Sequence, residues 1–370
     1  MTDQQLLLIS LLAAALAVPA SWLAPPRWQP RLTALIGFAL LLVLAPSSAA
    51  LLGAGALLVY GLPRQLPARA ALLASVVIVA VTLLVFMAVA QSAGKGIDGR
   101  VVLPFGLAFY ALRLIHYAFE HYKGGLREHR FDEFLGYLLL PSLLTAGPIH
   151  RFDEYLRDLR RKRWDPQLAS AGAERVLYGL AKIIVLGNFV IPDLLAPALT
   201  FSGAAAVYGD ALRFWIRLYV LFSGYSDVGV GFAALAGFRV RENFLRPFAA
   251  RNIADFWQRW HLSLSSWCRD YVFTPVQSAT RNQAVAVIAS MIVLGLWHDL
   301  SLRYVLWGAY HGLGIVVFRA FDARFGARID AWRGAPALLW RLAATLTTLH
   351  FVIFSFYVTR AAQQLLQGGG

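Results

Sequence analysis

The sequence predicts an all-α integral membrane protein, with roughly ten transmembrane helices plus re-entrant or interfacial helices, and three observations predict it. Apolar types make up 59% of the 370 residues and charged types 15%, against about 25% charged residues in a soluble domain. Long stretches carry no charge at all: twenty-one residues from Ala70 to Ala90, and thirty-two from Leu32 to Pro63 broken by Pro46. About 20 apolar residues cross a bilayer as a helix, since the segment must satisfy its own backbone polar groups. The third observation is the placing of the basic residues in short loops between the apolar runs, which accounts for a net charge of +14 without nucleic acid as a partner. Lipid headgroups are the partner such loops imply. No internal repeat and no Gly/Ser linker interrupts the chain, so residues 1–370 read as a single polytopic domain.

The first span is expected near residues 5–23. Asp3 precedes it and no basic n-region does, so it reads as a retained helix and not a cleaved signal. Arg27 and Arg31 place the following loop in the cytoplasm. Spans near 32–45 and 48–63 form a hairpin that returns Arg64 and Arg69 to the same side. Spans near 70–90 and 101–119 follow, the latter leading to Lys123, Arg127 and Arg130. The remaining windows are 173–191, 211–238, 283–298, 303–319 and 342–359.

Two stretches do not fit simple spans. Phe134 to Ile149 is uncharged, but it has only sixteen residues and contains Pro141 and Gly147-Pro148. Basic residues flank it on both sides, from Arg130 before to Arg151, Arg157 and Arg160 after. It reads as a re-entrant or interfacial element whose irregular backbone must be buried in protein or line a cavity. The second stretch, 239–281, is dense in Arg and Trp. A helical wheel from Asp255 to Tyr271 gathers Phe256, Trp257, Trp260, Leu264, Trp267 and Tyr271 on one face and Arg259, Ser263, Ser266 and Asp270 on the other. This predicts one amphipathic helix, with Leu262 out of pattern and His261 and Cys268 at the edge of the aromatic face.

Eight histidines carry most of the chemical potential, because an ionisable group within a membrane is costly unless used or paired. His298 ends the apolar run Met291 to Trp297 and precedes Asp299, which makes it the best-placed candidate. His116, His121 and His129 are close in sequence but do not share one helical face. HExxH is absent, and no metal site is expected. The absence of GxSxG and P-loop motifs removes support for a serine hydrolase or an NTPase. Cys268 is the only cysteine, so no intrachain disulfide forms, and it reads as a small packed hydrophobe.

Five segments, in order, resemble the membrane-bound O-acyltransferase (MBOAT) family. They are LPFGLAFYALRLIHY (Leu103 to Tyr117), AGPIHRF (Ala146 to Phe152), FSGYSDVGVGFAALAGFRVRENFLRPF (Phe222 to Phe248), DFWQRWHLSLSSWCRDYV (Asp255 to Val272) and GLWHDLSLRYVLWGAYHG (Gly295 to Gly312). They define an MBOAT-like core at about residues 100–320. The similarity is greatest to the bacterial branch that acetylates alginate-type polysaccharides or D-alanylates teichoic acids. The first hundred residues carry only generic hydrophobicity and are short for that branch.

The resemblance implies a ring of tilted helices around a central tunnel. It implies an acyl group, acetyl before D-alanyl, moved from a thioester donor to a hydroxyl of a cell-envelope glycan or to a partner transferase. Acetyl-CoA or an acyl carrier protein would be the donor, no cofactor stays bound, and an extracytoplasmic transferase is the expected partner at the bacterial cytoplasmic membrane. The family's signature histidines fall on His298 and His261. A neutral imidazole can take the proton of an attacking alcohol, an effect of about 10²–10⁴ in rate. His298 is therefore the expected base, with His261 expected to help bind the acyl donor or orient the acceptor. Asn252, Asp255, Trp257, Arg259, Trp260, Arg269, Trp297 and Asp299 are expected to bind substrate, with Arg259, Trp260 or the Asn252 amide as donors to the oxyanion. Asp299 departs from the small residue usual after this histidine. Gly224 and Gly229 read as helix-packing positions, and Asp227 as facing a cavity or paired with an arginine. A transporter or flippase is the competing class, but it predicts inverted repeats and paired broken helices that the sequence lacks. A catalytically dead scaffold is countered by the intact histidine pair.

Overall fold

The uncharged Ala/Leu/Val runs form long helices because no other local structure satisfies their backbone without water. The computed structural model describes residues 3–44, 46–92, 105–144, 147–195, 197, 202 and 204–367. Among them there is no strand, only an isolated antiparallel bridge between Phe244 and Trp260. The helices are α1 (Asp3–Leu23), α2 (Gln29–Leu44), α3 (Pro46–Gln65), α4 (Ala68–Ser92), α5 (Phe105–Tyr122), α6 (Phe131–Leu138), α7 (Phe152–Arg160), α8 (Pro166–Leu180) and α9 (Ala204–Leu235). They continue as α10 (Ile253–Trp257), α11 (Leu262–Cys268), α12 (Thr274–Thr280), α13 (Gln283–His298), α14 (Leu302–Asp330) and α15 (Gly334–Gln367). α8 runs on as a π-helix from Ala181 to Leu195.

Each of the ten expected windows holds a helix. Three helices among the described residues are long and apolar enough to cross a bilayer: Pro166–Leu195, Tyr208–Leu235 and Gly334–Tyr357. Shorter apolar helices run over Leu7–Leu23, Gln29–Leu44, Ala68–Leu84 and Gln283–His298. Their outward stripes are apolar. Leu8, Leu12 and Leu16 on α1 and Leu338, Leu342 and Leu346 on α15 are all exposed at four-residue spacing, a surface that lipid tolerates and water does not. Of the motif residues, Leu103, Pro104 and Ala146 lie outside the described residues.

The chain divides into two compact units, Met1–Ala181 with Gly224–Arg241, and Lys182–Ser223 with Glu242–Gly370. The core of the first gathers Leu40, Leu52, Tyr110, Tyr117, Phe134, Tyr137, Phe152, Tyr155 and Phe238. Within it, the stretch expected to break does so. α6 ends at Leu138, a 3-10 turn follows over Pro141–Leu143, and all of these residues are buried. The freed carbonyls of Leu138 and Leu143 accept hydrogen bonds from the two terminal nitrogens of buried Arg113, at 3.1 and 3.0 Å. A charge in α5 thus satisfies the backbone that the broken element leaves open. Asp227 pairs with Arg175 at 2.7 Å. α9 stops before the expected 238 because Gly237 turns to φ +87 and the amides of Gly237 and Phe238 close onto Ala234 and Ala233.

In the second unit, α13 and α14 form a hairpin whose closeness depends on glycine. A Cβ added to Gly295 would lie 2.2 Å from the Tyr304 carbonyl oxygen, and one added to Gly308 2.4 Å from that of Met291. α15 is fastened to α14 by Trp307 Nε1 donating to Ser355 Oγ (3.1 Å) and by Tyr310 donating to the Phe351 carbonyl (3.0 Å).

Candidate active site

The amphipathic helix expected from Asp255 to Tyr271 is two short helices and a π-turn, not one helix. α10 ends at Trp257, α11 begins at Leu262, and a π-helix covers Arg269–Phe273. The reason is a competing pairing. The Leu245 amide donates to the Arg259 carbonyl and the Leu262 amide to that of Asn243, both at 2.9 Å, which pulls residues 259–262 into the bridge with 243–245. Buried Ser263 Oγ adds a 2.6 Å bond to Asn243 Oδ1. The aromatic face survives the break: Phe256, Trp257, Trp260, Leu264, Trp267 and Tyr271 are all buried. Ser263, assigned by the wheel to the outer face, is buried as well.

This pairing fixes His261. Its φ is +47° and its ψ +52°, in the left-handed region that a side-chain-bearing residue rarely adopts. A residue kept there is held by its surroundings, and such outliers cluster at functional sites. The ring is 2% exposed and packs edge-on to Phe222, centroids 4.8 Å apart, and against Trp297 at 5.6 Å. Burial, and then the charge His298 would carry, hold its pKa well below the usual histidine value. The imidazole is therefore neutral at pH 7.

His298 is the last residue of α13. Unlike His261 it keeps exposed surface, yet its imidazole is desolvated by its neighbours and rings crowd it: Trp297 at 4.8 Å, Tyr304 stacked at 5.7 Å and Trp307 at 5.6 Å. Trp297 touches both imidazoles. A buried neutral histidine and an accessible one thus share a wall. That arrangement suits a base that meets substrate and a companion that does not leave its place.

The other expected site residues divide. Trp297 and Asp299 are at the pair. Trp257 joins it through Trp307, at 5.7 Å. Asn252, Asp255 and Arg259 instead form a local scaffold. Asn252 caps α10 by accepting from the Asp255 amide (2.7 Å), while Asp255 accepts from the Arg251 amide (3.1 Å) and from Arg259 Nε (2.7 Å). Trp260 lies in an aromatic wall with Phe256, Phe244, Trp215 and Tyr219. Arg269 is exposed and paired with Asp270. No group of three or more metal-ligating side chains is found among the described residues.

Sequence reasoning gave little weight to Tyr304, Trp307 and His311. His311 is buried between Trp257 (5.2 Å) and Trp307 (4.6 Å), and neither ring nitrogen has a hydrogen-bond partner. The signal available was the four-residue spacing of Trp307 and His311 on the helix after His298, which puts both on one face.

Residues 71–359 match the membrane-bound O-acyltransferase family. The chain belongs to that family. This MBOAT chain is 32% identical over 269 residues to a probable alginate O-acetylase of Azotobacter vinelandii, covering 69% of this chain and 51% of the relative. It is 28% identical over 276 residues to the teichoic acid D-alanyltransferase of Bacillus subtilis, covering 68% and 67%. A peptidoglycan O-acetyltransferase of Helicobacter pylori is 25% identical over 303 residues, covering 73% and 57%. The chain spans about half the length of the alginate O-acetylases it matches.

Proposed function

We propose that this MBOAT chain is a membrane-embedded O-acyltransferase of the bacterial cytoplasmic membrane, moving an acetyl group from a thioester donor to a hydroxyl of a cell-envelope glycan or of a partner transferase. The reading includes about ten spans arranged around a tunnel. It also keeps the chain as one polytopic domain, since the family match runs through both units without a break. The observation that carries the activity is the pairing of accessible His298 with buried His261 across Trp297.

In the proposed reaction the neutral imidazole of His298 removes the acceptor's hydroxyl proton as its oxygen attacks the thioester carbonyl. The tetrahedral intermediate then collapses, the ester forms and the thiolate leaves, taking up the proton. His261 keeps Trp297 and the neighbouring base in place. Acetyl is favoured because two of the three relatives described above are named for acetyl transfer. D-alanyl transfer from a carrier protein is the second reading, supported by the teichoic acid relative.

The test replaces His298 with Ala in the full chain in native membranes and follows transfer of radiolabelled acetyl to envelope polymer. Loss of transfer at unchanged protein level is expected, and wild-type turnover would remove the base. His261→Ala should lower transfer less completely; an equal or larger loss would exchange the two roles.

A further inference from the structure

The turn between α13 and α14 holds two polar oxygens that the proposed reaction does not use. Asp299 follows His298 directly and is 9% exposed, and its Oδ1 has no hydrogen-bond partner among the described residues. The carboxylate acts electrostatically on the Tyr304 phenol, whose ring is stacked on His298. Two residues on, Ser301 occupies the N-cap of α14. A serine there ordinarily accepts from an amide of the first turn. Here its side chain makes no cap bond, and its Oγ is buried without a partner. Backbone bonds help organise the turn, among them those from the Ser301 amide to the Asp299 carbonyl (2.9 Å) and from the Tyr304 amide to the Ser301 carbonyl (3.1 Å).

A buried carboxylate oxygen without a donor is costly. The N-terminal end of α14 offsets part of its charge but supplies no hydrogen bond. A partner that satisfies it must bring an O–H or N–H to the turn that follows His298. Asp299 can only accept, while Ser301 can donate or accept, and together they match a hydroxyl next to the one being acylated. A negative charge at this point also repels a carboxylate brought by the acceptor.

We propose that Asp299 and Ser301 are specificity-determining residues that read the acceptor, hydrogen-bonding a second hydroxyl of an uncharged polyol and turning away an acceptor that carries a carboxylate there. This rests on the acyl-transfer reading of the same site. The alternative source of a donor is the ammonium group of an aminoacyl thioester, which would make Asp299 a reader of the donor instead.

The experiment uses the purified full chain in lipid nanodiscs with acetyl-CoA and two probe acceptors, methyl glucoside and methyl glucuronide. Wild type should acetylate the glucoside at least about tenfold faster, the scale of one hydrogen bond to a charged group. Asp299→Asn should raise KM for the glucoside about tenfold with little change in kcat, and should admit the glucuronide. Ser301→Ala should raise KM by a smaller factor. Wild-type transfer with an unchanged KM and unchanged acceptor ratio in Asp299→Asn would overturn the inference alone. A selective loss of D-alanyl thioester use in Asp299→Asn, with acetyl transfer and acceptor preference intact, would overturn it in favour of donor reading. No transfer by wild type to either probe would overturn this inference, while the acyl-transfer reading stands or falls separately on radiolabelled acetyl transfer in native membranes.

Discussion

Replacing Gly308 with alanine tests whether the spacing of the α13–α14 hairpin sets the site. The added methyl would stand 2.4 Å from the Met291 carbonyl oxygen and 2.7 Å from Ile292 Cα, where ordinary contact begins near 3.4 Å. Both obstacles are backbone, so no rotamer change relieves them and the helices must separate by about 1 Å. Overpacking of this kind costs about 1–3 kcal/mol in stability. The effect on turnover should be larger than the effect on folding. His298 is on α13 and its stacking partners Tyr304 and Trp307 are on α14, and a displacement of ~1 Å in a reacting geometry costs on the order of 10²-fold in rate. The assay is acyl transfer in native membranes, normalised to protein level, with the melting temperature of the purified chain measured in parallel. Gly53→Ala is the control, because an added Cβ there meets nothing within 4 Å; it should stay within about twofold of wild type. Wild-type turnover and melting temperature in Gly308→Ala would show that the hairpin's closeness does not position the histidine.

Three further outcomes are expected. His261→Gly and His261→Ala remove the same imidazole, but glycine accepts φ +47° without strain, so the glycine variant should be the more stable by about 1 kcal/mol; equal melting temperatures would mean the loop relaxes freely. Arg113→Met leaves the Leu138 and Leu143 carbonyls without the Arg113 donors and should cost about 2–6 kcal/mol at ~1–3 kcal/mol each, read as a lower melting temperature; an unchanged one would refute the pinning role. The third concerns acid. His150, between α6 and α7, has its pKa pushed down to about 3 by burial, with Arg113 the next cause and Arg241, Arg157 and Arg151 adding to it, while Glu154 stands 3.6 Å away. The unfolded chain binds this proton more readily than the folded one. Stability is therefore fully present above about pH 6.5 and lost as pH falls towards 3, by up to about 1.4 kcal/mol per pH unit. His150→Phe should flatten that acid limb in thermal melts, and an identical limb would assign the loss to other groups.

Much of the helix order was legible because bilayer crossing demands long uncharged runs, and each of the ten expected windows holds a helix among the described residues. The broken element after Phe134 was also legible, since Pro141 and Gly147-Pro148 interrupt a segment already too short to span. What satisfies it was not. Arg113 lies on a different helix from the carbonyls it serves, and nothing in local sequence links position 113 to positions 138 and 143. The continuous helix over 255–271 failed for the same reason. Every residue from Asp255 to Tyr271 tolerates helix, and the periodicity is real, but the bridge to 243–245 is a non-local pairing that outcompetes it and turns the chain at His261.

That failure explains why the two histidines differ. The wheel put His261 at the edge of the aromatic face; the turn drives it fully inward, against Phe222 and Trp297, where only a neutral ring is stable. His298 ends α13 at the turn of a glycine-tight hairpin and keeps exposed surface. One apolar run and one interrupted helix thus yield two imidazoles of opposite exposure, joined by a single tryptophan. If the pair acts as proposed, the interruption at 258–261 is what makes His261 a fixed companion and leaves His298 to meet the acceptor. Removing the side-chain bond that reinforces this pairing, with Asn243→Ala and Ser263→Ala together, should then loosen the turn and impair transfer even though both histidines remain in the chain.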